Sequence, residues 1–306
     1  MKVLVVCSGN HKSISPFVKE QTDSLMKIKV TVDFFFVTGH GIIGYLRNYS
    51  LLRETIKERK PDIVHAHFGL SGLLATLQRL VPVIVTFHGT DISNKKNRKY
   101  SIFANKLARY SIFVSEKLAR TIHSKKYSII PCGVDLNVFK LTDQIAARTE
   151  LGLSNEFIYI LFSSSFDNSI KNYPLAKDAI ELHNNPKIKL LELKNYSRQQ
   201  VSLLLNAVNC ALLTSYSEGS PQFIKEAMAC NCPIVSTDVG DVKDNLLGLD
   251  GCYITTYDPH DVAYKIQLSL NFAKRTDGRD RIIKLGLDSD SIANKLVSIY
   301  KQVLNG

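Results

Sequence analysis

Short apolar runs rich in β-branched residues alternate along the chain with longer segments whose apolar positions recur every three to four residues. The first kind predicts strands and the second amphipathic helices. In the first half, strands are expected at Val3–Cys7, Val30–Val37, Ile63–His65, Val83–Phe87, Ser111–Val114 and Ser128–Ile130. Helices are expected at Ser15–Lys27, Arg47–Lys60, Gly69–Leu80, Arg98–Arg109 and Glu116–Ser124. The alternation restarts with strands at Phe157–Phe162, Ile188–Leu193, Cys210–Thr214, Pro233–Ser236 and Cys252–Thr255. Helices at Pro174–His183, Ser197–Ala207 and Pro221–Ala229 lie between them, and His260–Leu304 reads as helical in pieces. Strands separated by helices mean βαβ units and parallel sheets. Between the two series, Pro131-Cys132-Gly133-Val134-Asp135 and a polar stretch to about Asn155 read as a linker. The expected class is therefore α/β, with two Rossmann-like domains facing each other across a cleft. Chemistry is expected in loops at the carboxyl ends of the strands.

Length and composition support this picture. The 306 residues suffice for two domains, and 45% hydrophobic with 22% charged residues excludes a disordered chain. The six cysteines contain no CxxC pair, and Cys230/Cys232 has no second pair at zinc spacing, so reduced and mostly buried thiols are expected. The first apolar run is too short for a secretory signal, and Leu70–Phe87 is broken by Gln78, Arg79 and Pro82, so no transmembrane helix is expected. These readings place the protein in the cytoplasm, with attachment to the inner face of the cell membrane left open.

Charge sharpens the picture. Residues 1–150 carry 23 Lys and Arg against 11 Asp and Glu, and residues 151–306 carry 16 against 17. The basic excess belongs to the first half and suggests a face for an anionic surface or substrate. No aromatic-interleaved basic module points to nucleic acid, and no GxGxxG follows the first strand. Lys95-Lys96-Asn97-Arg98-Lys99 fits either a solvated face or an anionic partner.

The most informative stretch runs from Ser217 to Ala229, after a strand and into a helix. Ser220 suits a helix N-cap and Pro221 the first helical position. Gly219 permits close approach of a ligand to the backbone, and the helix start makes an anion site. Glu226 can hold adjacent ribose hydroxyls, and Glu218 can grip a second sugar. Alone, these residues also fit a plain capped helix with two surface glutamates.

Further segments narrow the choice. Glu218–Val239, Pro61–His67, Val85–Asp91 and Ile130–Asp135 with Phe139 occur in the order and spacing of GT-B glycosyltransferases of the family 4 type, which the chain resembles over about residues 3–270. The resemblance implies a GT-B fold in which residues 1–140 bind the acceptor and residues 141–287 bind a nucleotide diphosphate-sugar. A last helix, about 288–306, is expected to pack back on the first domain. It implies that Gly9 lies at the donor phosphates, His88 near the transferred sugar and acceptor, and Lys171 at the diphosphate. Glu226 is implied at the ribose and Glu218 at the donor sugar, with Gly219, Ser220 and Pro221 also binding the donor. His88, Glu218 and Lys171 are thus the expected catalytic set, with no metal and no cofactor beyond the co-substrate.

The implied reaction is a hexosyl transfer with retention of configuration, to a glycan or lipid-linked acceptor of surface-polysaccharide assembly. A sugar-nucleotide epimerase and a non-catalytic sugar-nucleotide-binding module of the same fold are the alternatives. Two departures stand out. Gly9-Asn10 replaces a pair of glycines, and Phe162–Asp167 lacks the arginine that the family places before the lysine. His65 and His67 are read as structural, and Asp288-Ser289-Asp290 as a helix-capping sequence.

Overall fold

The computed structural model describes residues 1–10, 14–124 and 126–306. They divide into two units: Met1–Gly133 with Ser289–Gly306, and Val134–Asp288. The first unit runs β1 (Lys2–Ser8), α1 (Pro16–Lys27), β2 (Thr31–Val37), α2 (Gly41–Leu46), α3 (Tyr49–Arg59), β3 (Ile63–His67), α4 (Gly69–Thr76) and β4 (Val83–Phe87). It continues through α5 (Thr90–Ser93), α6 (Lys95–Leu107), β5 (Tyr110–Phe113), α7 (Glu116–Thr121) and β6 (Tyr127–Ile129). The second unit holds α8 (Gln144–Leu151), β7 (Ile158–Phe162), a 3-10 turn at Ser169–Lys171, α9 (Tyr173–Leu182), β8 (Ile188–Glu192), α10 (Arg198–Ala207) and β9 (Cys210–Leu213). It ends with α11 (Gln222–Ala229), β10 (Ile234–Thr237), α12 (Val242–Leu246), β11 (Cys252–Thr255), α13 (Pro259–Phe272) and α14 (Gly278–Leu285). The chain then returns to the first unit as α15 (Ser289–Asn305).

Both sheets are parallel, with orders β2-β1-β3-β4-β5-β6 and β11-β10-β9-β7-β8. In each, the order reverses once: between β1 and β3 in the first, and between β7 and β9 in the second. Loops leaving the strands on either side of such a reversal splay apart and leave room for a ligand. Gly9 follows β1 at one of these points, and Lys171 and Glu218 follow β7 and β9 at the other.

Parallel strands buried on both faces need apolar residues throughout. Val3 to Val6 are fully buried, and so are Ile160 to Phe162 and Cys210 to Leu213. One core of the first unit packs α3, α4 and α7 against the sheet through Leu52, Leu74, Val85 and Phe113. The opposite face is closed by α1 and α15, with Ile292, Leu296, Tyr300 and Val303 on Val3, Ile63, Ile84 and Ile112. The Asp288-Ser289-Asp290 sequence stands at the start of α15, with Asp290 in its first turn.

Two sequence expectations shift. The boundary moves from residue 140 to Gly133, because Val134 and Phe139 are buried in the core of the second unit. The stretch read as linker also contains α8, which Asp143 caps through the Ala146 N–H and Gly152 ends with φ of 67°. Its Arg148 is buried and donates to the carbonyl of Ala207 and to Asn209. Its buried residues are Ala147 and Arg148, and a buried arginine in place of an apolar residue hides the helix from a periodicity reading.

Tyr300 is fully buried, and its hydroxyl lies 2.6 Å from Nδ1 of His65. Tyr300→Phe keeps the ring but strands that nitrogen. It is expected to lower unfolding stability by about 1–2 kcal/mol in chemical denaturation.

Candidate functional site

In the first unit, β1, β3 and β4 each deliver one expected feature. Gly9 donates its N–H to the Val37 carbonyl at 2.8 Å, and a Cβ there would lie 2.8 Å from Cβ of Phe36. The position therefore admits only glycine without displacement of the neighbouring strand. Asn10, where a second glycine was expected, grips the backbone of Gly39 twice: Nδ2 donates to the carbonyl at 2.6 Å and Oδ1 accepts the N–H at 2.8 Å.

His88 stands after β4 and is followed by Gly89, whose φ of 128° suits glycine. The loop is held by Asp91. Its Oδ1 accepts the N–H groups of His88 (3.2 Å) and Gly89 (2.9 Å), and its Oδ2 accepts that of Gly69 (3.0 Å) at the start of α4. One carboxylate thus ties the loops after β3 and β4 together. Burial pushes the Asp91 carboxyl up to about 6 although these N–H groups pull the other way.

His88 is surrounded by rings: Phe68 at 4.6 Å, Phe17 at 4.9 Å and His67 at 5.2 Å between centroids. In the basic run, Arg98 donates to the Ile92 carbonyl at 2.7 Å, so it braces α5, while Lys95, Lys96 and Lys99 are exposed.

In the second unit, Lys171 and Glu218, 47 positions apart, meet. Lys171 Nζ lies 2.6 Å from Oε1 of Glu218, and Ser215 Oγ donates to the same oxygen at 2.7 Å. The 3-10 turn carrying Lys171 is pinned to the end of β9, since Thr214 Oγ1 bonds the carbonyls of Lys171 and Asn172. Glu226 is buried on α11 and accepts from Arg198 Nη2 at 2.7 Å; the guanidinium also lies 4.7 Å over the ring of Phe139.

Ser220 does not cap α11, as the sequence suggested. The helix begins at Gln222 with Pro221 at its N-cap, because Ser220 is engaged elsewhere. Its Oγ donates to Asp241 at 2.6 Å and accepts from the fully buried Lys225 at 3.1 Å. Burial pushes the Asp241 carboxyl up, and nearby Lys225 offsets part of that. Gly219 meets Gly240, where a Cβ would come within 2.6 Å of the Gly219 carbonyl oxygen. No arginine lies between Phe162 and Asp167; instead Asp167 pairs with Lys194 at 3.3 Å.

Arg198, Lys225, Asp91 and Asp241 were not anticipated as site residues. Two carried a signal. Arg198 places a cation at the positive start of a helix with a full Ser197/Gln200 capping box, against the dipole. Lys225 stands beside Phe223, Ile224, Ala227 and Met228 on a helix with only two other polar residues, Gln222 and Glu226. Such anomalies need a partner, and only the fold supplies it. Asp91 and Asp241 carried no such anomaly.

The chain matches two family models: Glycosyltransferase Family 4 over residues 2–138 and Glycosyl transferases group 1 over residues 169–271. A putative teichuronic acid biosynthesis glycosyltransferase of Bacillus subtilis is 27% identical, over 63% of this chain and 58% of that protein. The chain thus spans about three-fifths of the length of this relative. Among solved structures, sucrose-phosphate synthase from Thermosynechococcus elongatus superimposes with a TM-score of 0.83 at 15% identity, covering 99% of both chains. Anabaena HepE, solved in complex with UDP, gives 0.78 at 16% identity, covering 99% of this chain and 100% of that one.

The Asp91 shift has a pH consequence. A carboxyl whose folded value is raised binds protons more readily folded than unfolded, so its contribution to stability falls as pH rises from about 4 to 6. Asp91→Asn is expected to flatten the stability profile over that window, by up to roughly 3 kcal/mol, in denaturant melts taken at stepped pH. With both sheets, the strand-end residues and two matching models in register along the chain, the protein belongs to the family 4, group 1 glycosyltransferases of GT-B fold.

Proposed function

We propose that the protein transfers a hexose from a nucleotide diphosphate-sugar to a hydroxyl acceptor, with retention of configuration. The observation that carries this reading is the Lys171–Glu218 pair at the switch point of the second sheet, beside the helix that bears Glu226. A lysine there can neutralise a departing diphosphate without a metal, and positioned charge of this kind is a large term in catalysis. Glu218 holds that lysine in place while the donor is absent and can accept hydroxyls of the donor sugar once the diphosphate claims the ammonium. Glu226, oriented by Arg198, suits a ribose. The complex of HepE with UDP supports a nucleotide donor for a chain of this fold. The proposed chemistry is front-face departure of the diphosphate, in which the protein contributes position and charge.

In this reading the second unit takes the donor and the first the acceptor. With the observed boundaries, the first unit has 23 Lys and Arg against 9 Asp and Glu, and the second 16 against 19. Exposed Ile43 and Leu46 on α2 and Leu51 on α3 flank Arg47 in the turn between them, and Lys95, Lys96 and Lys99 line α6. No helix among the described residues is long and apolar enough to cross a membrane. A lipid-linked acceptor on an anionic cytoplasmic surface fits this distribution, each basic residue near such a surface contributing about 1 kcal/mol. The name of the Bacillus subtilis relative is in keeping with an acceptor from surface-polysaccharide assembly.

A panel of UDP-, GDP- and ADP-sugars tests the reading. The matching donor is expected to raise the melting temperature. Glu226→Ala should weaken its binding by roughly tenfold or more, and Lys171→Ala should lower kcat by roughly a hundredfold. Unchanged kinetics in both variants would refute the site, and conversion of donor without acceptor would make the protein an epimerase. Vesicles rich in anionic lipid are expected to bind the protein at low salt and release it at high salt, and absence of binding at every salt concentration would remove the membrane from the reading.

A further inference from the structure

We infer that His67 is a positioning residue for His88: it donates its Nδ1 proton to His88 Nε2 and so holds His88 as a neutral ring with its own proton on Nδ1. The arrangement starts from strand periodicity. His65 and His67 are two apart on β3 and so share one face of the sheet, and His67 pairs in register with Thr86 on β4, two residues before His88. The imidazoles therefore stack in a row, 4.6 Å between His65 and His67 and 5.2 Å between His67 and His88.

Both nitrogens of His65 are used, by the Tyr300 hydroxyl at 2.6 Å and by Thr86 Oγ1 at 2.7 Å, so His65 is a fixed wall. His67 is fully buried, and that burial takes it down to about 3, so the ring is neutral and carries one proton. Its Nδ1 lies 2.9 Å from His88 Nε2, while its own Nε2 is buried with no hydrogen-bond partner among the described residues. A buried N–H without an acceptor is the rarer and costlier orphan, whereas a bare ring nitrogen in an apolar wall is better tolerated. The proton accordingly sits on Nδ1 and points at His88.

His88 Nε2 is then an acceptor, and a neutral ring must carry its proton on Nδ1, which lies 3.8 Å from Sγ of Cys132. With Phe17 and Phe68 against the ring, its plane is fixed as well. Under the transferase reading, on which this catalytic consequence rests, His88 does not exchange protons with substrate through Nε2. It serves as an oriented neutral group, and His67 sets that orientation without touching substrate.

The test uses the full chain labelled with 15N-histidine. Two-bond proton–nitrogen correlations are expected to give the Nδ1–H form for both His67 and His88, assigned by single substitutions. An Nε2–H form at His67 overturns the inference. His67→Phe keeps the ring and removes the donor, whereas His67→Asn restores an amide donor where Nδ1 stood. With both variants checked by thermal melting to be folded, His67→Phe is expected to lose about tenfold in kcat, the worth of one buried hydrogen bond. The donor KM should move less than twofold, and His67→Asn should recover most of the loss. Equal kcat in the two variants overturns the positioning role. If the wild-type chain transfers no sugar from any donor, the transferase reading fails while the nitrogen spectra still decide the tautomer.

Discussion

A parallel sheet cannot be built from hairpins. Each strand must be followed by a crossover that returns to the same starting edge, so every loop leaving a strand opens on the same side. Both units of this protein obey that constraint, and their candidate chemistry follows from it. Gly9, His67 and His88 sit at the ends of β1, β3 and β4, and Lys171 and Glu218 sit beyond β7 and β9. Lys171 and Glu218, 47 positions apart in sequence, meet along one edge because the strands they follow, β7 and β9, are neighbours in the sheet.

The two units solve the electrostatics of their sites in opposite ways. The first carries the basic excess of the chain, yet His65 and His67 at its strand ends are held uncharged by burial, and the same burial pushes the Asp91 carboxyl up to about 6. The second has a slight acidic excess, yet its strand ends hold cations, each against a carboxylate, as in Lys171 with Glu218 and Arg198 with Glu226. Net charge therefore describes the outer surface of a unit, whereas the site depends on local pairs. A buried charge left alone would cost several kcal/mol, and each pair removes that cost.

Much of this was legible in the sequence. The alternation of strands and helices marked every strand and the longer helices but not α2, α5, α8 and α12, since double burial makes parallel strands continuous apolar runs. Glu218, Glu226 and His88 stand in motifs whose order carried the family resemblance, and the role of Lys171 was implied by that resemblance. What escaped detection shares one physical cause. Arg198, Asp91 and Asp241 act through hydrogen bonds to residues distant in sequence, and a single polar residue gives no periodicity to read. The helix Gln144–Leu151 escaped for a related reason, because it contributes a buried arginine where a sequence reading looks for an apolar stripe. The histidines of β3 were read as structural, and His65 has both ring nitrogens bonded within the core; His67 differs in having His88 across from it and its Nε2 without a partner among the described residues.

The return of the last helix also has a consequence in time. The second unit is continuous, and the first is closed only by residues synthesised after it. At about 5–20 residues per second, some 8 to 30 s separate the emergence of Gly133 from that of Ser289. During that interval Val3, Ile63, Ile84 and Ile112 lack the helix that finally covers them. A nascent chain of this protein thus carries an apolar sheet face covered by α1 alone while its second half folds, and that transient exposure belongs to the first unit rather than the second.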